Sequence, residues 1–281
     1  MKKLGIILDS FSGLYQEDAI KEGFEFIPLQ VDIDNVVYQD GLVDKVEVLE
    51  KLKNATSFKS SSPRLEVINT IVKEASEKYD DVIYFGIHPA LSSTSSHVRT
   101  VANDFPNVKV FENHWSGIQL VIAAKYALKL YNEGLNLFEI FTQLEVINKE
   151  SATYLVPFDM KYMIQGGRLN GVKKFIMSKI KMLPILEYDV HGKVTPVFLK
   201  RTPQGAISKA IEKAAYFPED ASKYQFNYMH GIDAEINNEV EKQLAEYDIK
   251  LQHTQITSSV IAIHTGPEAF AITVMPKLEL E

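Results

Sequence analysis

Ile83-Tyr84-Phe85-Gly86-Ile87-His88-Pro89-Ala90-Leu91-Ser92-Ser93-Thr94-Ser95-Ser96 is the stretch from which the rest of the chain can be read. Its apolar run, Ile83 to Ile87, predicts a buried strand. His88-Pro89-Ala90 breaks that strand, and Leu91 onward predicts a helix. Ser92, Ser93 and Thr94 fall at the helix start, where hydroxyls can satisfy unpaired backbone N–H groups. Many helices also place an acid in the first turn, against the positive end of the dipole. Here the next acid after Asp81 is Asp104. A hydroxyl-rich helix start without its own anion, at the carboxyl end of a strand, suits a carboxylate or a phosphate. A plain capped surface helix is the other reading of the same residues.

A chain of 281 residues, 46% hydrophobic and 24% charged, can bury a large core and is expected to form two domains. It has no cysteine, which excludes disulfides, thiolate catalysis and zinc–cysteine sites. The apolar N-terminal run stops at Asp9, too early for a signal segment, and nothing approaches a membrane span. A net charge of −7 argues against nucleic-acid binding. A soluble cytoplasmic protein is expected.

From the N-terminus, Leu4 to Leu8 predicts a short buried strand. Asp9 and Ser10, at its end, either present a ligand group or cap the next helix, expected over 12–22. Residues 24–34 predict a strand region, continued by Val36-Val37-Tyr38, and 44–52 a helix. Thr56 to Ser62 reads as a polar segment leading into a helix at Pro63, since Pro after a Ser cap is a start signal. Two helices would thus begin with serine clusters, and two such starts can converge on one anion or be unrelated caps. A strand over 107–111 and helices over 118–132 and 137–149 complete an alternation typical of a Rossmann-like parallel sheet.

After residue 155 the pattern changes. A strand over 154–158 and a short helix over 159–165 lead to Gly166-Gly167-Arg168. A basic helix with Lys173, Lys174, Lys179 and Lys181 follows. Residues 182–188 and 193–201 predict a hairpin about Asp189-Val190-His191-Gly192. Helices over 206–216 and 234–247 alternate with strands over 224–229 and 250–256, and 260–264 and 269–274 are read as closing strands. The expected class is therefore α/β with two domains. Residues 1–155 form the Rossmann-like domain, and 156–281 form an α+β domain with a mixed or antiparallel sheet.

Several catalytic templates are missing. There is no P-loop, no G-x-S-x-G and no G-x-G-x-x-G after the first strand. The histidines lack helical metal spacing, so no metal or cofactor is expected. His264 stands out at the end of an apolar run before Gly266-Pro267, where an imidazole could hydrogen-bond an anion. Arg168 is similar, because the glycines before it permit close backbone approach and a guanidinium suits a carboxylate or phosphate.

Taken in order, these segments resemble the DegV family of bacterial fatty-acid-binding proteins over essentially the whole chain. The resemblance rests on Leu8-Asp9-Ser10, Pro28-Leu29, Tyr38-Gln39-Asp40-Gly41, Ser60-Ser61-Ser62-Pro63, Leu91-Ser92-Ser93-Thr94, Gly166-Gly167-Arg168, Lys181-Met182-Leu183-Pro184-Ile185-Leu186, Arg201-Thr202 and His264-Thr265-Gly266-Pro267. It implies a long-chain fatty acid between the two domains. Ser61 and Ser92 would bind its carboxylate, with Ser60 beside them and His264 facing the same head group. It also implies presentation of that carboxylate to a separate fatty acid kinase, which makes an acyl phosphate as a phospholipid precursor, with Arg168 and Arg201 toward that partner or the phosphate. Three positions depart from the family pattern. Ser93 stands for a Gly, two residues separate Lys181 from Pro184, and Glu112-Asn113-His114-Trp115 replaces an Asp-Ser/Thr pair. The competing expectations are an enzyme, either a hydrolase using Ser92, His264 and Asp9 or a small-molecule kinase, and, third, a ligand-responsive regulator.

Overall fold

Strand β1 (Leu4–Asp9) is buried along its whole length, as expected of a strand covered on both faces. The computed structural model describes residues 2–167 and 182–280. Arg168 and the basic segment with Lys173, Lys174, Lys179 and Lys181 lie outside the described residues.

Among the described residues the strands form three sheets. In the first, β1 lies between β2 (Glu25–Ile27) and β6 (Asp81–Phe85), and β6 pairs with β7 (Val108–Phe111), all parallel. Alternation divides its side chains between two layers. Ile7, Val82 and Tyr84 pack with α3 (Leu65–Lys78) and α4 (Thr94–Ala102). Ile6, Leu8, Ile83 and Phe85 pack with α5 (Ile118–Asn132) and α6 (Leu137–Lys149). Each large apolar side chain so enclosed contributes about 1.5–3 kcal/mol. Helix α6 has the bounds read from the sequence, because Asn136 and Glu139 form a capping box at its start.

The third sheet was not foreseen. The segment read as one strand over 24–34 divides into β2 and β3 (Gln30–Ile33), which belong to different sheets. Strand β3 pairs antiparallel with β4 (Val36–Gln39) and β5 (Phe58–Ser61). Ser60 and Ser61 are therefore strand residues, and the helix read from Pro63 begins at Leu65 after Arg64. The helix expected over 12–22 is a 3-10 turn, Ser10–Ser12, then α1 (Gln16–Lys21).

The six-stranded sheet has the order β10 (Val194–Lys200), β9 (Leu183–Tyr188), β8 (Ala152–Val156), β13 (Phe270–Pro276), β11 (Tyr224–His230), β12 (Leu251–Ile256). Only β11 and β12 run parallel among these pairs. One face packs on α8 (Pro203–Ala215) and α9 (Ala234–Glu246) through Ile207, Ile211, Val240 and Leu244. The other turns toward the first half of the chain.

The run Val260–His264, expected as a strand, lies in helix α10 (Ser259–Thr265). Its branched side chains favour a strand locally, and tertiary packing overrides that weak preference. Val260, Ala262 and Ile263 are buried. The carboxylate of Asp40 accepts the Ser259 N–H at 2.9 Å, satisfying a helix-start donor from a distant loop. No described helix is long and apolar enough to cross a membrane.

Candidate functional site

Two adjoining cavities meet where α10, β5 and the start of α4 converge. The polar one is lined by Ser60, Ser61, Ser62, Ser92 and Ser93, with Leu29, Ile87, Leu91, Val260 and His264. The other is almost wholly apolar and reaches from Ile87 and Leu91 to Leu155, Met163, Met229 and Phe270. Ile87, Leu91, Val260 and His264 line both. About 90 Å³ of the apolar cavity is open to the centre of a water-sized sphere.

His264 occupies the last turn of α10, and its Nε2 lies 2.7 Å from Ser60 Oγ. Gly166 ends α7 (Met160–Gly166) against this ring, and a Cβ there would lie 2.2 Å from His264 Nδ1. The first glycine of the Gly166-Gly167-Arg168 motif therefore makes room for the histidine. Gly167 sits at φ +69°, the left-handed C-cap conformation that glycine adopts most readily. In β5, Phe58 and Ser60 share one face, and Phe58 stacks on Tyr162 at 5.1 Å between ring centroids. Ser61, the next residue, is exposed at the rim of the same pocket, its hydroxyl 3.5 Å from Gln30 Oε1.

On the opposite wall the helix starts at Thr94 rather than Leu91, because residues 88–92 form a separate turn with Leu91 and Ser92 N–H bonded to the His88 carbonyl. Ser92 Oγ accepts the Thr94 N–H at 3.2 Å and lies 3.0 Å from Thr94 Oγ1. Ser93 occupies the N-cap position without capping, its hydroxyl 2.9 Å from Ser62 Oγ. Thr94 Oγ1 donates to Ser62 Oγ at 3.2 Å. The structure thus brings Ser60, Ser61, Ser92 and His264 around one pocket, with a chain of hydroxyls linking β5 to α4. The first turn of α4 carries no acid, so its positive end faces a pocket without a built-in anion. Ser62, Ser93 and Thr94 join the set through this bonding. Their signal in the sequence was the density of hydroxyls, which does not tell which of them bond one another.

Asp9 is placed differently. Its Oδ1 accepts the Phe11 N–H at 3.0 Å, and its Oδ2 accepts the Tyr84 hydroxyl at 2.7 Å and the Ile87 N–H at 2.9 Å. It caps the 3-10 turn and ties β1 to the end of β6. Burial pushes its carboxyl up to about 6, opposed by those hydrogen bonds and assisted by the nearby charge of Asp40. Burial also raises Asp40, against the pull of Lys45, whose own ammonium is pushed down by burial. The Ser92–His264–Asp9 set of the hydrolase expectation is not assembled, because Ser92 bonds to Thr94 and Asp9 is engaged away from both. Arg201 is exposed in the bend between β10 and α8 and lines neither cavity. Among the described residues no group of three or more His, Asp or Glu is placed to hold a metal.

The family model described as "Uncharacterised protein, DegV family" matches residues 3–277. A DegV domain-containing protein of Mycoplasmopsis pulmonis is 28% identical over 277 residues, covering 97% of this chain and 95% of that one. The crystal structure of DegV from Bacillus subtilis, described as a fatty acid binding protein, is 25% identical, with a TM-score of 0.84 over 99% of this chain and 100% of that one. A Thermus thermophilus DegV family protein, described for its fatty acid binding, is 21% identical, has a TM-score of 0.87 and covers the same shares.

Proposed function

The chain belongs to the DegV family, and from that premise we propose that it is a lipid-binding protein rather than an enzyme. It holds one long-chain fatty acid between the parallel sheet and the six-stranded sheet. The observation that carries this reading is the junction of a hydroxyl-lined pocket with an apolar cavity through Ile87, Leu91, Val260 and His264. An amphiphile with one anionic end and a long apolar body matches that pair of environments.

The chain supplies the affinity and the head supplies the orientation. Each buried methylene contributes about 0.8 kcal/mol, so some ten of them approach 8 kcal/mol before the cost of ordering the chain. The carboxylate loses water on entry and needs partners in return. Ser60, Ser61, Ser92, His264 and the N–H groups opening α4 are the partners assigned to it. Among the described lining residues of the polar pocket, His264 is the one that can carry a positive charge. Ser61 and Ser93 are exposed, so the carboxylate end opens to the surface.

That opening supports the finer proposal, presentation of the bound carboxylate to a separate fatty acid kinase. Arg168 and Arg201 are assigned to the partner or to the phosphate, and the chemistry resides on the kinase.

The direct test is native mass spectrometry of the protein purified from cells, with extraction of whatever is bound. A mass excess equal to one long-chain acid is expected. Ser92→Ala and His264→Ala should lower affinity for added acid while the thermal midpoint stays near that of the parent. A protein that arrives empty and takes up no added fatty acid overturns the proposal.

A further inference from the structure

The apolar cavity has a direction, and its two ends are built differently. It shares Ile87 and Leu91 with the hydroxyl-lined pocket, together with Val260 and His264 of α10. Between Ile87 and Leu91 lies His88, whose ring packs on the turn joining β9 to β10, so closely that a Cβ on Gly192 would collide with it. Tyr188 and Val194, which flank that turn and pair with each other, also line the cavity. The pocket therefore adjoins the β9–β10 side of the six-stranded sheet. From there the cavity crosses the strands, over Leu155 on β8 and Ala271 on β13 to Met229 on β11. Leu155 pairs with Ala271, and Ala271 with Met229, so all three share the face turned toward the first half of the chain. Three inter-strand steps of about 4.8 Å separate β9 from β11, a path of roughly 14 Å.

The far end is closed. The register partner of Met229 on β12 is Gln255, which continues the row across the sheet but does not itself line the cavity. Its amide is lodged between Gly13 and Gly117, and a Cβ on either would collide with Nε2. A Cβ on Gly117 would also lie 3.4 Å from Met229 Sδ, so the thioether abuts the same wall. Local bonds hold that wall in place. The Gly117 N–H donates to the Phe11 carbonyl at 3.1 Å, and the Gly13 N–H to the Ser10 carbonyl at 3.0 Å. Met229 is buried and unbranched, the kind of side chain that fills the irregular end of an apolar space.

We propose that Met229 is the residue that sets the length of the acyl chain. The chain enters from the hydroxyl-lined pocket, crosses β8 and β13, and brings its terminal methyl against the Met229 side chain, with Gln255 and the two glycines behind it. Leu155 and Ala271 lie along the way, so their size is felt by every acid long enough to pass them. A residue at the end is felt only by acids of the limiting length. This inference rests on the fatty-acid reading and deepens it by assigning the chain a direction and a stop.

The test measures affinities of the full-length protein for straight-chain saturated acids, from decanoic to eicosanoic, by competition with a fluorescent fatty acid. In the parent each added methylene should tighten binding about fourfold until the chain reaches Met229, and further carbons should gain nothing. Met229→Ala removes Cγ, Sδ and Cε and leaves their space to the ligand, so the limit should lengthen by about two to three carbons. Acids short of the parent limit should bind as they do to the parent. Met229→Val is the second variant, a smaller truncation with a side chain suited to a strand, and should lengthen the limit by about one carbon. The inference is overturned when the limit fails to lengthen in the variants that fold, or when they weaken acids of every length alike. If no acid of any length binds the parent, the carrier reading falls and this inference goes with it.

Discussion

Replacing Gly166 by alanine separates the head-group role proposed for His264 from the stability of the fold. Gly166 ends α7 and is not among the glycines with positive φ. Alanine there meets no backbone strain and gains about 1 kcal/mol of helix propensity. Its methyl, however, would lie 2.2 Å from His264 Nδ1, so the ring must retreat by about 1 Å to reach ordinary contact. The Ser60–His264 pair, at 2.7 Å, does not survive a shift of that size within hydrogen-bond range. A hydrogen bond from imidazole to a bound carboxylate contributes about 1.5–3 kcal/mol. Fatty-acid affinity should therefore fall by roughly 10- to 150-fold, with little change in thermal midpoint. The assay is displacement of a fluorescent fatty acid, repeated in a His264→Ala background, where adding Gly166→Ala should cost nothing more. Unchanged affinity in the single variant, or an equal loss with and without the histidine, would refute the reasoning.

Ala271→Phe fills the apolar cavity from its sheet wall. Because the added ring enters open space among Leu155, Met163 and Met229, the ligand-free variant should be about as stable as the parent in urea while losing acyl uptake, and retained uptake would place the chain elsewhere. Asp9→Asn tests the buried carboxyl. Its folded value of about 6 lies above the ordinary 3.8, so the folded state holds the proton more tightly than the unfolded chain. Stability should then be greatest below about pH 4 and decline as pH rises toward 6, by on the order of 3 kcal/mol from this group. Denaturant titrations across that range should show a shallower slope for Asp9→Asn, with a residual contribution of the same sign from Asp40. An identical slope in parent and variant removes Asp9 as its source.

The parallel sheet could be read from the chain because its strands, Leu4–Asp9 and Asp81–Phe85, are continuous apolar runs ended by turn residues. Helix α6 could be read to its bounds because its cap is local. The errors fall where the deciding partner is remote. Ser60 and Ser61 look like loop residues until β3 supplies the ladder they pair with. Val260–His264 carries strand-forming side chains, and what accompanies its helical state is a carboxylate 219 residues earlier. The site follows the same rule. The two serine clusters and His264 were visible as residue types, whereas the bonding among Ser62, Ser93 and Thr94, and the close approach of Gly166 to the His264 ring, exist only once the chain is folded.

The bonds that frame the head-group pocket span most of the chain, 204 residues between Ser60 and His264 and 219 between Asp40 and Ser259. Contacts of such separation close late, after the loop entropy between them has been overcome. During synthesis the first half can complete its parallel sheet while the histidine helix is still unmade. A nascent chain therefore offers hydrophobic strands without the hydroxyl pocket, and on the proposed reading capture of a lipid would be a property of the finished molecule alone.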